Sequence, residues 1–328
     1  MVTFPAIVAT GDGPAELCHL TDDDLPNQAV TVDVSYSSLN YKDGLAVIGK
    51  GKVIRSFPMI CGIDLAGTVV ESSDPAWSPG DEVVATGWGL GETQPGGYTG
   101  RQRLRPEWLI RRPNQLTALQ AMAVGTAGLT AMLCVLALEG NGLTVEADGD
   151  VLVTGAAGGV GSVAVAVLSQ IGYRVTASTG RPETHDDLRA LGASAIIDRA
   201  ELAEDSGRPL DTERWVAAVD TVGTTTLASV LRQTRYRGQV AACGLAGGND
   251  LPITVLPFIL RNVALLGVDC AQCPTDVRAQ AWRRLGSDLP TGRLDALTTV
   301  EPMSRMSELA SAILAGQVRG RTVIDVSQ

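Results

Sequence analysis

Histidine is nearly missing from this chain of 328 residues, with two copies, and the six cysteines lie apart at 18, 61, 134, 243, 270 and 273. Only Cys270 and Cys273 form a C-x-x-C pair, and no second pair or nearby histidine completes a zinc tetrad. The thiols therefore read as reduced, mostly buried residues of a cytoplasmic protein. Lysine is scarce too: Lys42, Lys50 and Lys52 stand in one short segment, and every other basic side chain is an arginine. A formal net charge of −10 argues against nucleic acid or an anionic membrane as a general partner. No apolar run is seen to reach the roughly 18–20 residues that a membrane span needs. The first ten residues have no basic stretch ahead of an apolar one, so no secretory signal is expected. A hydrophobic share of 45% with 19% charged residues argues against disorder, and the length favours two domains over one core.

Glycine is plentiful, and four glycines gather in Val151-Leu152-Val153-Thr154-Gly155-Ala156-Ala157-Gly158-Gly159-Val160-Gly161. A Val-rich run, a glycine cluster and an amphipathic segment over 162–171 predict strand, tight turn and helix. Gly158 lets the backbone approach a pyrophosphate, Gly161 lets the helix sit close to its strand, and the helix N-terminus offers unpaired N–H groups to the anion. A second short strand over 174–178 runs into Thr179-Gly180-Arg181. NAD enzymes usually carry an acidic residue there for the ribose 2′-hydroxyl. Here Ser178, Thr179 and Arg181 suit a 2′-phosphate instead, which points to NADP(H). The plainer reading of Arg181 is a solvated loop arginine; the missing carboxylate weighs against it.

The first 120 residues carry short β-like runs at 29–35, 65–71 and 82–87, broken by Gly, Pro and Asp turns. From residue 120 the pattern alternates: helix 121–138, then strands at 151–154, 174–178, 195–197, 217–220, 239–243 and 263–268 with helical segments among them. This predicts an α/β fold: a doubly wound parallel sheet of the Rossmann type, plus a mainly-β domain. The last 30 residues are too few for a core of their own. They are expected to pack back on the first domain, giving 1–120 with 295–328 and a nucleotide-binding domain over 121–294. Ligands of such a sheet sit beyond the carboxyl ends of its strands. Those ends add Arg199, Val222, Gly223, Gly244, Leu245 and Cys270 to the candidates. Arg199 either stacks on adenine, joins Arg181 at the phosphate, or forms a surface salt bridge.

In the first domain, Ser37-Ser38-Leu39-Asn40-Tyr41-Lys42-Asp43 follows a strand. Tyr41 is the candidate donor to a substrate carbonyl and Asn40 a candidate to orient it, whereas Lys42 and Asp43 read as a surface pair. Asp64 sits in apolar, glycine-lined Cys61-Gly62-Ile63-Asp64-Leu65-Ala66-Gly67. A carboxylate there is either hydrogen-bonded to the chain or functional, and polar groups near Tyr41 favour the first.

Ser38–Asp43, Gly62–Gly67, Gly125-Thr126-Ala127-Gly128-Leu129-Thr130-Ala131 and the 155–161 turn together resemble the zinc-free, quinone-reductase-like part of the medium-chain dehydrogenase/reductase superfamily. Ser178–Arg181, Ala241–Gly248 and Pro257–Val263 narrow the resemblance to its NADPH-dependent acryloyl-CoA reductase branch, over nearly the whole chain. The resemblance implies a GroES-like first domain and NADPH contacts at Tyr41, Thr130, Gly158, Gly159, Val160, Gly161, Ser178, Thr179, Arg181, Arg199, Val222, Gly223, Gly244, Leu245, Ile259 and Cys270. Zinc-dependent relatives have Gly-His-Glu where Gly62-Ile63-Asp64 stands, so no metal site is expected. Cys61 departs from the family's usual proline, and Ala315-Gly316 replaces a more polar pair. The implied reaction is hydride transfer from NADPH to the β-carbon of acryloyl-CoA, a CoA thioester, giving propanoyl-CoA. A quinone or general enone reductase and a non-catalytic NADPH-binding protein are the alternatives. A homodimer joined near 263–268 is a further family expectation.

Overall fold

The computed structural model describes residues 2–204 and 206–328. Their contacts define two compact units: Met1–Thr126 with Ala271–Gly286 and Asp295–Gln328, and Ala127–Cys270 with Ser287–Leu294.

The first unit is mainly β. In its larger sheet the strands lie in the order Thr298–Pro302, Arg321–Asp325, Val30–Ser38, Asp64–Ser72, Glu82–Thr86 and Ile110–Arg111, with Arg101–Leu104 also on Val30–Ser38. Alternation drives this: Val30, Val32 and Val34 turn one face of their strand into a core with Leu65, Val83, Leu104 and Ile324. The C-terminal strand pairs antiparallel with Val30–Ser38, matching Val323 to Ser38. The chain end thus completes the sheet of the first unit, and the mainly-β domain is discontinuous. The segment 271–286 also belongs here rather than with 121–294. Its Arg278 is fully buried, donates to the Thr86 carbonyl at 2.6 Å and lies over the Trp88 ring.

The second unit holds six parallel strands in the spatial order Ala195–Asp198, Val175–Thr179, Asp150–Val153, Trp215–Asp220, Thr234–Ala242 and Ala264–Gly267. The order reverses beside Asp150–Val153, which makes its carboxyl end the switch point where a doubly wound sheet binds its ligand. Val151, Leu152 and Val153 are completely buried, as a central strand covered on both faces requires.

Helix Ala118–Gly140 corrects one expectation. By length and composition it is apolar enough to cross a membrane, yet 83% of its most apolar window is buried within the protein. It is also broken: Gly125 has φ 51° and ψ −158°, so two helices meet there. An apolar helix buried all round is a core helix, and its lack of a polar face is why periodicity gave no warning of the break.

Candidate active site

In the second unit the glycine turn leaves Val153 and enters helix Gly159–Ile171 through Gly158 as N-cap, with no side chain capping the helix. Its first N–H groups are therefore available to an anion, favoured by the helix dipole. Gly161 is needed for this: a Cβ there would stand 2.4 Å from the Gly155 carbonyl oxygen. The turn is tied to the next strand by Ala156 N–H donating to the Ser178 carbonyl at 3.0 Å.

At the end of Val175–Thr179 the Arg181 guanidinium reaches back to the Ala157 carbonyl at 2.5 Å. The Arg199 side chain lies over Gly180, with Nε 2.4 Å from where a Cβ would be. Two arginines thus flank the turn where NAD enzymes place a carboxylate, and this end carries Ser178 and Thr179 instead. Both are buried, and the Thr179 hydroxyl accepts from Arg181 N–H at 3.1 Å, so it shapes the loop. An uncapped helix N-terminus, a glycine cradle and paired guanidinium groups fit a dinucleotide carrying a 2′-phosphate.

A residue that sequence reasoning missed organises the switch point. Asp220 accepts from Thr154 Oγ1 at 2.7 Å and from Gly223 N–H at 2.7 Å, fixing Thr221–Gly223 to the end of the central strand. Burial pushes its carboxyl above the ordinary carboxylate range. Polar residues ending two adjacent apolar strands, VLVT and VAAVD, were the available signal. Gly244 sits against Thr221 so closely that a Cβ would meet its carbonyl oxygen at 2.4 Å. Leu245 and Ile259 are exposed apolar side chains, Val222 is half-buried, and Thr130 is buried on its helix. Cys270 joins a group of thiols: Cys134 is hydrogen-bonded to Cys243 and feels Cys270, and that contact with burial holds the Cys134 thiol well above its usual range.

In the first unit, Ser37 and Ser38 do not follow the strand but end it, as the last residues of Val30–Ser38. Tyr41 is the first residue of helix Tyr41–Ile48, and Asn40 with Asp43 makes a capping box at its start. Asp43 is not on the surface with Lys42: it is fully buried, and Lys42 pairs with Glu92 at 2.8 Å. Asp43 accepts from Asn40 N–H, Asn40 Nδ2 and Ile63 N–H. Burial and the neighbouring Asp64 nevertheless push its pKa up to about 7. Asn40 also donates to Ser38 and Asp64 and accepts from Arg321, so its amide is committed inside the protein. It positions the helix start. Tyr41, in contrast, is 59% exposed.

Asp64 is the centre of this network. It accepts from Ser38 Oγ, Asn40 Nδ2, Thr126 N–H and Thr126 Oγ1. Its carboxylate thereby caps the helix that restarts after Gly125, where a Cβ would lie 2.7 Å from Asp64 Oδ2. Buried Arg321 approaches the same carboxylate, donating to the Ala123 carbonyl at 2.6 Å. Burial lowers the Arg321 pKa, and Asp64 and Asp43 oppose that. Among the described residues no group of three His, Cys, Asp or Glu side chains is placed to hold a metal ion.

A doubly wound sheet with this turn and a mainly-β unit completed by the chain's own C-terminus together define a two-domain nicotinamide-dependent oxidoreductase. Family models agree: residues 26–135 match "Alcohol dehydrogenase GroES-like domain" and 159–287 match "Zinc-binding dehydrogenase". The chain is 53% identical over 313 residues to the probable acrylyl-CoA reductase AcuI of Escherichia coli K12, covering 95% of this chain and 96% of that one. It is 51% identical over 318 residues to acrylyl-CoA reductase AcuI of Ruegeria pomeroyi, covering 97% and 96%. The YhdH oxidoreductase of Salmonella enterica, solved in complex with NADP, superposes with a TM-score of 0.95 at 52% identity, covering 98% of this chain and 99% of that one. The chain belongs to the zinc-free medium-chain dehydrogenase/reductase family, in the branch that holds the acrylyl-CoA reductases.

Proposed function

We propose that this protein reduces the carbon–carbon double bond of acryloyl-CoA with NADPH, giving propanoyl-CoA. The observation that carries the reading is identity of 51–53% across 95–97% of the chain to relatives named for that activity. NADPH, when bound, supplies the hydride that reaches the β-carbon of the thioester. Gly158–Gly161 hold the pyrophosphate, Arg181 and Arg199 the 2′-phosphate, and Thr130, Ser178, Thr179, Val222, Gly223, Gly244, Leu245, Ile259 and Cys270 complete the proposed cofactor set. As the C=C electron pair moves toward the thioester, negative charge grows on its oxygen and needs a donor fixed in advance. Tyr41 is that donor: its hydroxyl is exposed at a helix N-terminus whose position is set by Asn40, Asp43 and Asp64. A proton then reaches the α-carbon from solvent.

Replacing Tyr41 with Phe is expected to lower kcat with acryloyl-CoA about 10²-fold while leaving the KM for NADPH within about twofold. Unchanged turnover removes Tyr41 from the mechanism. Steady-state comparison of acryloyl-CoA with free enones and quinones tests the substrate: equal use of all three sinks the thioester reading.

The same reading includes a homodimer. Ala264–Gly267 is the edge strand of its sheet, and Val255, Ile259 and Leu260 nearby in the chain expose large apolar side chains. Unpaired edge groups beside exposed apolar surface favour a second copy. Light scattering should give twice the chain mass, and a monomer at micromolar concentration rejects the dimer.

A further inference from the structure

We infer that the loop after helix Tyr41–Ile48 is a binding site for the 3′-phosphoadenosine diphosphate end of coenzyme A, an inference that rests on the thioester reading above. The chain has a net charge of −10, yet Lys50, Lys52 and Arg55 fall within six residues of one another. All three are exposed, and none forms an ion pair among the described residues. Lys42, the fourth cation of the region, is taken by Glu92 and does not belong to the set.

Lys50 lines a cavity of about 130 Å³ together with Ala9, Leu45, Ile48, Ile54 and Phe57, and Lys52 and Arg55 flank its lining residues Gly51, Val53 and Ile54 in the chain. Phe57 is 51% exposed in a chain with only 4% aromatic residues. Its ring is held against the backbone at Gly11, where a Cβ would come within 3.2 Å. A fixed, half-open aromatic face suits a purine ring, since stacking accepts a flat heterocycle without requiring its edges. The Lys50 ammonium in the same cavity, with exposed Lys52 and Arg55 close by in the chain, suits phosphates.

The site is built in advance. Lys50 N–H donates to the Leu45 carbonyl at 2.9 Å, Arg55 N–H to the Glu92 carbonyl at 2.8 Å, and Ala15 N–H to the Val47 carbonyl at 2.7 Å. The backbone therefore gives up little freedom when a ligand arrives. Opposing charge is small: Asp12 lies in the facing loop, and the helix C-terminus adds roughly half a negative charge. Three cations exceed both. Tyr41 begins the helix that this loop ends, and eight residues rise about 12 Å. A thioester at Tyr41 and a diphosphate at Lys50 are thus separated on the scale of an extended pantetheine arm.

The test compares acryloyl-CoA with acryloyl-pantetheine, which lacks the nucleotide, in the wild type and in a Lys50→Ala, Lys52→Ala, Arg55→Ala triple variant. The wild type should show a KM for acryloyl-CoA about tenfold or more below that for acryloyl-pantetheine. The triple variant should raise the first KM about tenfold, leave kcat unchanged and not move the second. Phe57→Ala should raise the same KM with less salt dependence than the triple variant shows. Equal KM values for the two thioesters in the wild type, or an unchanged KM in the triple variant, would overturn the site. Adenosine 3′,5′-bisphosphate titrated by calorimetry separates the two readings. If neither thioester is reduced but the probe binds the wild type and not the triple variant, the activity fails and the nucleotide site stands. No binding to the wild type rejects the site whatever the activity.

Discussion

Replacing Asp64 with Asn is expected to lower the unfolding free energy by about 3–5 kcal/mol, read as a lower urea midpoint with an unchanged slope. The side chains are nearly isosteric, so the loss isolates charge and polarity. Four donors converge on this carboxylate, from Ser38, Asn40 and both the N–H and hydroxyl of Thr126. The amide keeps one acceptor and turns two N–H groups toward donors, which leaves buried groups unpaired at about 1–3 kcal/mol each. It also takes the anion away from the helix that restarts at Thr126 and from buried Arg321. Gly125→Ala should act on the same point from the other side, because its Cβ would stand 2.7 Å from Asp64 Oδ2 at a backbone angle that only glycine adopts freely. A loss below about 1 kcal/mol for Asp64→Asn would mean that water replaces the missing contacts.

This network separates what the amino-acid sequence makes legible from what it conceals. Asp64 stood out because a carboxylate among Cys61, Ile63 and Leu65 must find partners. Its partners lie at Ser38, Asn40, Thr126 and Arg321, scattered over most of the chain, and no local pattern joins them. The helix from Tyr41 was hidden for a different reason. Asn40 and Asp43 are turn formers in isolation and become a capping box only once the following turn is helical. The strand–turn–helix around Gly158 was readable because its requirements are local, an apolar strand, glycines at the tight contacts, then a helix, although that helix is apolar and buried from Gly161 to Leu168 rather than amphipathic. The same locality exposes the end of Val175–Thr179, where the missing carboxylate is a matter of one position. Cys134, Cys243 and Cys270 show the limit again. They are far apart in sequence: Cys243 and Cys270 follow the carboxyl ends of two adjacent parallel strands, and Cys134 meets them from within its helix.

Removing both Arg181 and Arg199 is expected to raise the KM for NADPH by about 10–100-fold, with the KM for NADH nearly unchanged. The two cofactors differ only in the 2′-phosphate, so NADH serves as the internal control for every other contact. A charge-assisted hydrogen bond contributes about 1.5–3 kcal/mol, and with Arg199 exposed and Arg181 half-buried the pair falls near the lower part of that range. The two side chains are not equivalent. Arg181 also donates to the Ala157 carbonyl in the glycine turn, and its amide is held by Thr179. Arg181→Ala alone therefore removes a support of the turn, and a small rise in KM for NADH should accompany the larger rise for NADPH. Arg199 lies over Gly180 without that link, so Arg199→Ala should affect NADPH alone. Equal losses for both cofactors in the Arg199 variant would reassign that arginine from the 2′-phosphate to the shape of the loop. Raising the ionic strength should weaken NADPH binding in the wild type and have a smaller effect in the double variant, because the screened charges are then gone.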